Sequence, residues 1–191
     1  TDGRHTFAVR AVDPAGNASP WVTRTWSIDS RAPGSPVIDG RPQDPTNLTS
    51  AQFSVSPARA GDRVECRLNG APQACSQRFS ALPDGKHTFS ALSFDEAGNA
   101  SAEATYTWTI DTVAPQQPEM VEWPANPTNN RVAGFVVRAR GSEDELQCEL
   151  DGRARQCSDS FNNLPDGEHV FRARAVDPTG NRSDWATYVW V

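Results

Sequence analysis

The chain has 191 residues, 24 acidic against 18 basic, with a formal net charge of −6 and a pI near 5.0. That balance shows no basic face for a nucleic acid, and no apolar run approaches the roughly 18 residues of a membrane helix. With 15 Pro, 13 Gly and a mean hydropathy of −0.61, the composition suits a turn-rich, all-β chain.

A fixed period organises the sequence, and such periods are sought first because they decide the architecture. Residues 1–29 carry Asp2-Gly3-Arg4-His5-Thr6-Phe7, then Asp13-Pro14-Ala15-Gly16-Asn17-Ala18-Ser19, then Trp26. The same words, Asp-Gly-x-His-x-Phe, Asp-x-x-Gly-Asn-x-Ser and Trp, return at 84–89, 95–101 and 108. They return again at 166–171, 177–183 and 190, each time 82 positions on. Upstream words occur twice: Pro-Thr-Asn at 45–47 and 127–129, Phe53 and Phe135, Cys66 and Cys148, Cys75 and Cys157. The expected division is 1–29 as the C-terminal two-strand remnant of an upstream repeat, 30–111 as one repeat and 112–191 as the next. Seams at Arg31–Pro36 and Val113–Pro118 each hold two prolines, which makes a short, semi-stiff connector. With Thr1 in place of a start Met and no signal segment, the chain is expected to be a piece of a longer protein. A lone hairpin is marginal in water, so 1–29 is expected to be frayed, docked on a neighbour, or completed by further chain.

Within a repeat, alternation of period two predicts strands. Phe53 and Val55 point inward on the first, then Val64, Cys66 and Leu68. Phe89, Ala91 and Ser93 line the long strand, with Leu92 and its equivalents Arg10 and Arg174 outward. Tyr106, Trp108 and Ile110 face inward on the last strand, which assigns Trp26, Trp108 and Trp190 to the core. Leu82-Pro83-Asp84-Gly85 and its copy at 164–167 mark a corner. Asp95–Asn99 closes a hairpin in which Gly and Asn suit left-handed backbone and Asp caps free amides.

The four cysteines form two Cys-x8-Cys pairs, one per whole repeat. Equal spacing favours intradomain disulfides, Cys66–Cys75 and Cys148–Cys157, over zinc or buried thiols, since no His or second Cys pair sits at ligand spacing. A two-residue Asn69-Gly70 turn would leave Cys75 on a ~7–8 Å diagonal from Cys66. The preferred register is therefore a four-residue loop, Asn69–Pro72, with the cysteines directly opposite. Disulfides imply an oxidising compartment outside the cytosol.

Chemistry is sparse. His5, His87 and His169 share one repeat position, which points to a structural role. No phosphate loop, nucleophile elbow or His-Glu-x-x-His is present, so no enzyme activity is expected. Trp21 and Trp185 share a position outside the core pattern, and Trp123 stands where the other repeat has Arg41. These three are candidates for stacking on a glycan or seating a protein; the competing reading is that they cover a linker or sheet edge. Sequons fall at Asn17, Asn47, Asn99 and Asn181. At the two seams, Asp29 with Asp62 and Asp95, and Asp111 with Asp144 and Asp177, offer oxygens of the kind Ca²⁺ takes. The competing reading has Asp95 and Asp177 capping their own turns. No other cofactor is expected.

The string Leu-Pro-Asp-Gly-x-His-x-Phe, then Asp-x-x-Gly-Asn-x-Ser, then Tyr-x-Trp-x-Ile-Asp-Thr-x-Ala-Pro, together with the Cys-x-Leu-Asn/Asp-Gly-x4-Cys hairpin, resembles the tandem bacterial Ig-like repeats of large secreted and cell-surface proteins of the adhesin type. The Leu-x-x-Gly corner is similar to that of fibronectin type III domains. The resemblance implies tandem Ig-like β-sandwiches of about seven strands each, strung like beads. It also implies an extracellular place on the bacterial cell surface or in the periplasm, neighbouring repeats as partners, and calcium at some joints. The leading functional expectation is a structural spacer or stalk that presents other domains. The alternatives are a carbohydrate- or protein-binding module, a fibre subunit assembling through the incomplete N-terminal hairpin, and an accessory domain of a secreted hydrolase.

Overall fold

The computed structural model describes residues 1–158 and 160–191. Among them every regular element of the chain is a strand, and no helix is long and apolar enough to cross a membrane. β1 (Gly3–Val9) and β2 (Val22–Ile28) form an antiparallel hairpin running from Gly3↔Ile28 to Val9↔Val22. Next come β3 (Val37–Gly40), β4 (Ala51–Gln52), β5 (Ser54–Ser56), β6 (Arg63–Leu68), β7 (Ala71–Gln73), β8 (Arg78–Phe79), β9 (Gly85–Phe94) and β10 (Ala104–Ile110). The set then recurs as β11 (Glu119–Glu122), β12 (Ala133–Gly134), β13 (Val136–Arg138), β14 (Glu145–Leu150), β15 (Arg153–Arg155), β16 (Ser160–Phe161), β17 (His169–Val176) and β18 (Ala186–Trp190). From β11 to β16 each strand begins and ends 82 residues after its counterpart.

The last set shows how the pattern becomes a sandwich. One sheet has the order β15-β14-β17-β18; β13 pairs with β11, and β12 with β16. β12 and β13 are two halves of one strand broken at Phe135, whose ring stacks on Phe171 of β17 at 3.9 Å between centroids. Phe135, Cys148, Leu150, Phe161, Phe171, Ala173 and Trp190 form one buried cluster. All come from the inward positions of alternating strands, so removal of apolar surface from water drives the two layers together. The earlier set has the same sheets, β10-β9-β6-β7, β3-β5 and β4-β8, and Phe53 stacks on Phe89 at 3.9 Å. This is an all-β, Ig-like sandwich of seven strands when the broken strand is counted once. The chain packs as two compact units, one of residues 1–41, 52–78 and 88–107, the other of 42–51, 79–87 and 108–191.

Two expectations need correction. The β6–β7 register is Cys66↔Gln73 and Leu68↔Ala71, so the turn is the two-residue Asn69-Gly70 and not a four-residue loop. Both turn residues have positive φ, 51° and 82°, and this mirror-type turn matches the twist of the flanking strands. The disulfide still forms, because β7 ends at Gln73 and the chain bends at Cys75–Ser76, bringing its Cα to 5.1 Å from that of Cys66. Cys148–Cys157 repeats the arrangement at 5.2 Å, across an Asp151-Gly152 turn. Leaving the ladder removes the diagonal separation that argued for the longer loop. The second correction concerns Trp26, which is 47% exposed whereas Trp108 is 0% and Trp190 2%. Phe7 and Ile28 of the same hairpin are also exposed, because residues 1–29 contain no second layer to stand over them.

Candidate functional site

The repeated words turn out to be structural devices, and each of their residues has a traceable task. In all three copies the Asp-x-x-Gly-Asn-x-Ser carboxylate accepts the Asn backbone N–H, at 2.8 Å for Asp13 and Asp95 and 2.9 Å for Asp177. The Gly donates its N–H to the Asp carbonyl and takes φ near +90°. The Asn backbone does not share that left-handed conformation, contrary to expectation; Gly alone carries it. The Ser hydroxyl accepts the backbone N–H eight residues earlier, Ala11, Ser93 or Ala175. Side-chain donation from Asn17 and from Asn99 holds the Asp13 and Asp95 carboxyls below the ordinary carboxylate range. At Asp177 burial pushes upward, and hydrogen bonds from Thr179 and Asn181 outweigh it, so its carboxyl is also lowered.

The histidines behave as one structural position. Nε2 of His5, His87 and His169 lies 2.8, 2.8 and 2.9 Å from the carbonyl four residues back, and each ring packs on the Trp of the paired strand. His169 also places Nδ1 2.8 Å from Asp151 Oδ2.

At the seams the structure gathers the acids expected there. Asp29, Asp62 and Asp95 line one cleft together with Arg59. Asp111, Asp144 and Asp177 line another. Among the described residues, however, no three acidic, His or Cys groups converge closely enough to hold a metal ion. Most of these carboxylates are turned onto backbone amides instead. Asp29 accepts from Arg31 N–H, Asp111 from Val113 N–H and Asp144 from Gly141 N–H. Asp62 differs, since its Oδ2 is buried without a hydrogen-bond partner.

The seams carry a feature not read from the sequence. Asn99 Nδ2 donates to the backbone carbonyl of Asp29 at 3.0 Å, and Asn181 Nδ2 donates to that of Asp111 at 2.8 Å. From the other side, Asp84 accepts both the N–H and the hydroxyl of Thr112, as Asp2 does for Ser30. The signal was present as the repeated Asn of Asp-x-x-Gly-Asn-x-Ser, but its long-range partner lies 70 residues away.

The exposed tryptophans separate into two kinds. Trp21, 57% exposed, lies under the Arg10 guanidinium at 4.7 Å, and the part-buried Trp185 lies under Arg174 at 4.4 Å. Trp123, 52% exposed, leans on Tyr188 at 6.0 Å. Its counterpart Arg41 covers the equivalent Tyr106 at 4.8 Å. Trp123 and Arg41 thus do the same job with different chemistry, shielding a strand-edge tyrosine.

No protein-family model matches the chain, and comparison with curated proteins finds no match. Solved structures do resemble it. A chain from the complex of a mouse coronavirus receptor-binding domain with its murine receptor superposes with a TM-score of 0.50 at 10% identity, over 82% of this chain and 100% of that one. The fibronectin(III)-like modules of Clostridium thermocellum CbhA give 0.48 at 11% identity, over 81% and 92%. A structure of a 1.5-MDa bacterial ice-binding adhesin gives 0.47 at 17% identity, over 100% and 74%. At such identities the likeness is one of fold alone, in keeping with the all-β, Ig-like sandwiches described above.

Proposed function

We propose that residues 30–111 and 112–191 are two successive repeats of an extracellular structural spacer, with 1–29 the end of another, and that they extend and present other domains of a bacterial surface protein of the adhesin type. The observation carrying this reading is that the residues repeated every 82 positions, including all three histidines and the Asp-x-x-Gly-Asn-x-Ser loops, are spent on internal hydrogen bonds and on the seams. A module whose repeated residues serve its own folding and its links to neighbours is suited to adding length. Two disulfides per two repeats support an oxidising location. No step of catalysis is assigned to any residue.

The test is a variant carrying a second copy of residues 30–111. The spacer reading expects an unchanged melting temperature and no binding to an array of glycans by either form. Glycan or protein binding lost on replacing Trp21, Trp123 and Trp185 by Ala, with the melting temperature kept, would favour the binding-module reading, for which the exposure of Trp21 and Trp123 is the supporting observation.

A further inference from the structure

We propose that Asn99 and Asn181 are positioning residues for the seams, and that each seam is fixed by a neutral amide gripping the backbone rather than by a bound cation. The Asp29-Ser30 and Asp111-Thr112 dipeptides are held from two sides. The preceding Asp-Gly corner binds the second residue: Asp84 Oδ1 accepts the Thr112 N–H at 3.2 Å and its hydroxyl at 2.9 Å. Asp2 Oδ1 does the same for Ser30, at 3.2 and 2.7 Å. The following loop binds the first residue, through Asn99 to the Asp29 carbonyl and Asn181 to the Asp111 carbonyl. Two residues gripped by two separate loops have little freedom left.

The donor is prepared in advance. A side-chain amide carries two N–H donors. One is spent inside the loop, on Asp95 Oδ2 or Asp177 Oδ2, both at 2.9 Å. The other is aimed at the seam carbonyl, and at Asn181 the Thr179 hydroxyl oxygen, 2.7 Å from Nδ2, shares these two donors. The carboxylate and the carbonyl are acceptors only, so the amide nitrogen must face them. Asn17 shows the loop bond by itself: its Nδ2 donates to Asp13 Oδ2 at 2.8 Å in a loop that is fully exposed. The loop therefore forms without the seam bond, and the seam bond is added to a donor already oriented. The seam at Asp111 is further supported by the Thr179 hydroxyl, 3.3 Å from the same carbonyl, where the other loop has Ala97. The same chemistry makes three sequons informative. With both amide hydrogens engaged at Asn99 and Asn181, a glycan on either nitrogen would displace one of these bonds, whereas Asn17 spends one amide hydrogen on its loop bond and has the other for a glycan to replace.

This deepens the spacer reading and rests on it for its purpose, while its geometry stands apart from it. The test uses the whole chain, ¹⁵N-labelled, in EDTA. In the unaltered protein the side-chain amide protons of Asn99 and Asn181 should exchange with solvent more slowly than those of Asn17. Backbone order parameters at 111–116 should sit near the ~0.85 of rigid backbone. In Asn181→Ala, with the strand signals of 145–190 retained, order at 111–116 should fall toward ~0.6, and Asn17→Ala should leave it unchanged. Equal exchange at the three asparagines overturns the proposal, even if Asn181→Ala fails to fold. So does unchanged order at 111–116 in a folded Asn181→Ala, or seam order that appears only when calcium is added. Ligand binding by the exposed tryptophans would instead sink the spacer reading and leave the seam assignment standing.

Discussion

Asn69 and Asp151 occupy the same hairpin-turn position in the two complete repeats, both with φ near +50°. Each side chain caps the backbone N–H across the ladder, Thr88 or Val170, so the turn tolerates either residue. Only the carboxylate adds an ion pair, to His169, whose side chain is buried. The Asp151 hydrogen bond, helped by the Pro165 carbonyl, raises the His169 pKa above its ordinary 6.5. For Asp151, burial pushes upward but the Val170 N–H and His169 win, so its pKa falls below 3.8. A raised His contributes stability fully below about pH 6.5 and loses it as pH climbs through the folded value; a lowered Asp contributes above 3.8 and loses it in acid. Residues 112–191 should therefore be most stable between about pH 4 and 6.5, and their melting temperature should fall between pH 6 and 8. Asp151→Asn should flatten that fall, at a cost of at most about 1 kcal/mol for a partly exposed pair. Calorimetry at pH 5.5, 6.5 and 8 checks it, and an undiminished slope in the variant would refute the assignment.

Among elements, the last strand of each copy is the informative one. β2, β10 and β18 share their pattern, yet Trp26 is largely exposed and Trp108 and Trp190 are not. Sequence alternation says which way a side chain points on its strand; it does not say whether a second layer lies above it. Trp190→Ala and Trp108→Ala should each cost about 3–5 kcal/mol, as for large aromatics removed from a packed core. Trp26→Ala should cost a small fraction of that, because water already reaches the ring. Chemical denaturation followed by tryptophan fluorescence distinguishes them, and equal costs would mean that the β1–β2 face is covered in solution. The cysteine hairpins teach a related lesson. Their pairing was legible from equal spacing, but their register was not. The choice between a two-residue and a four-residue turn depended on where the second strand stops, and β7 stops at Gln73, before the disulfide-bonded Cys75.

At the scale of the whole chain, repetition makes stability roughly a sum of repeat and seam contributions. Closing each disulfide loop should contribute a little under ~3 kcal/mol by chain entropy. Replacing Cys148 and Cys157 by Ser should lower one thermal transition and leave the signals of strands β6, β7 and β9 in place. A uniform loss across the chain would show that the two sandwiches melt as one. The period, the all-β class, the inward aromatics, the disulfide pairing and the structural role of the histidines all followed from the sequence by itself, because each is written in spacing or alternation along one strand. The cover over Tyr106 and Tyr188, the exposure of Trp26, the turn register and the grip of Asn99 and Asn181 on carbonyls 70 residues upstream were decided only by the tertiary structure. They depend on which surfaces meet once the strands have packed, and linear spacing carries no record of that.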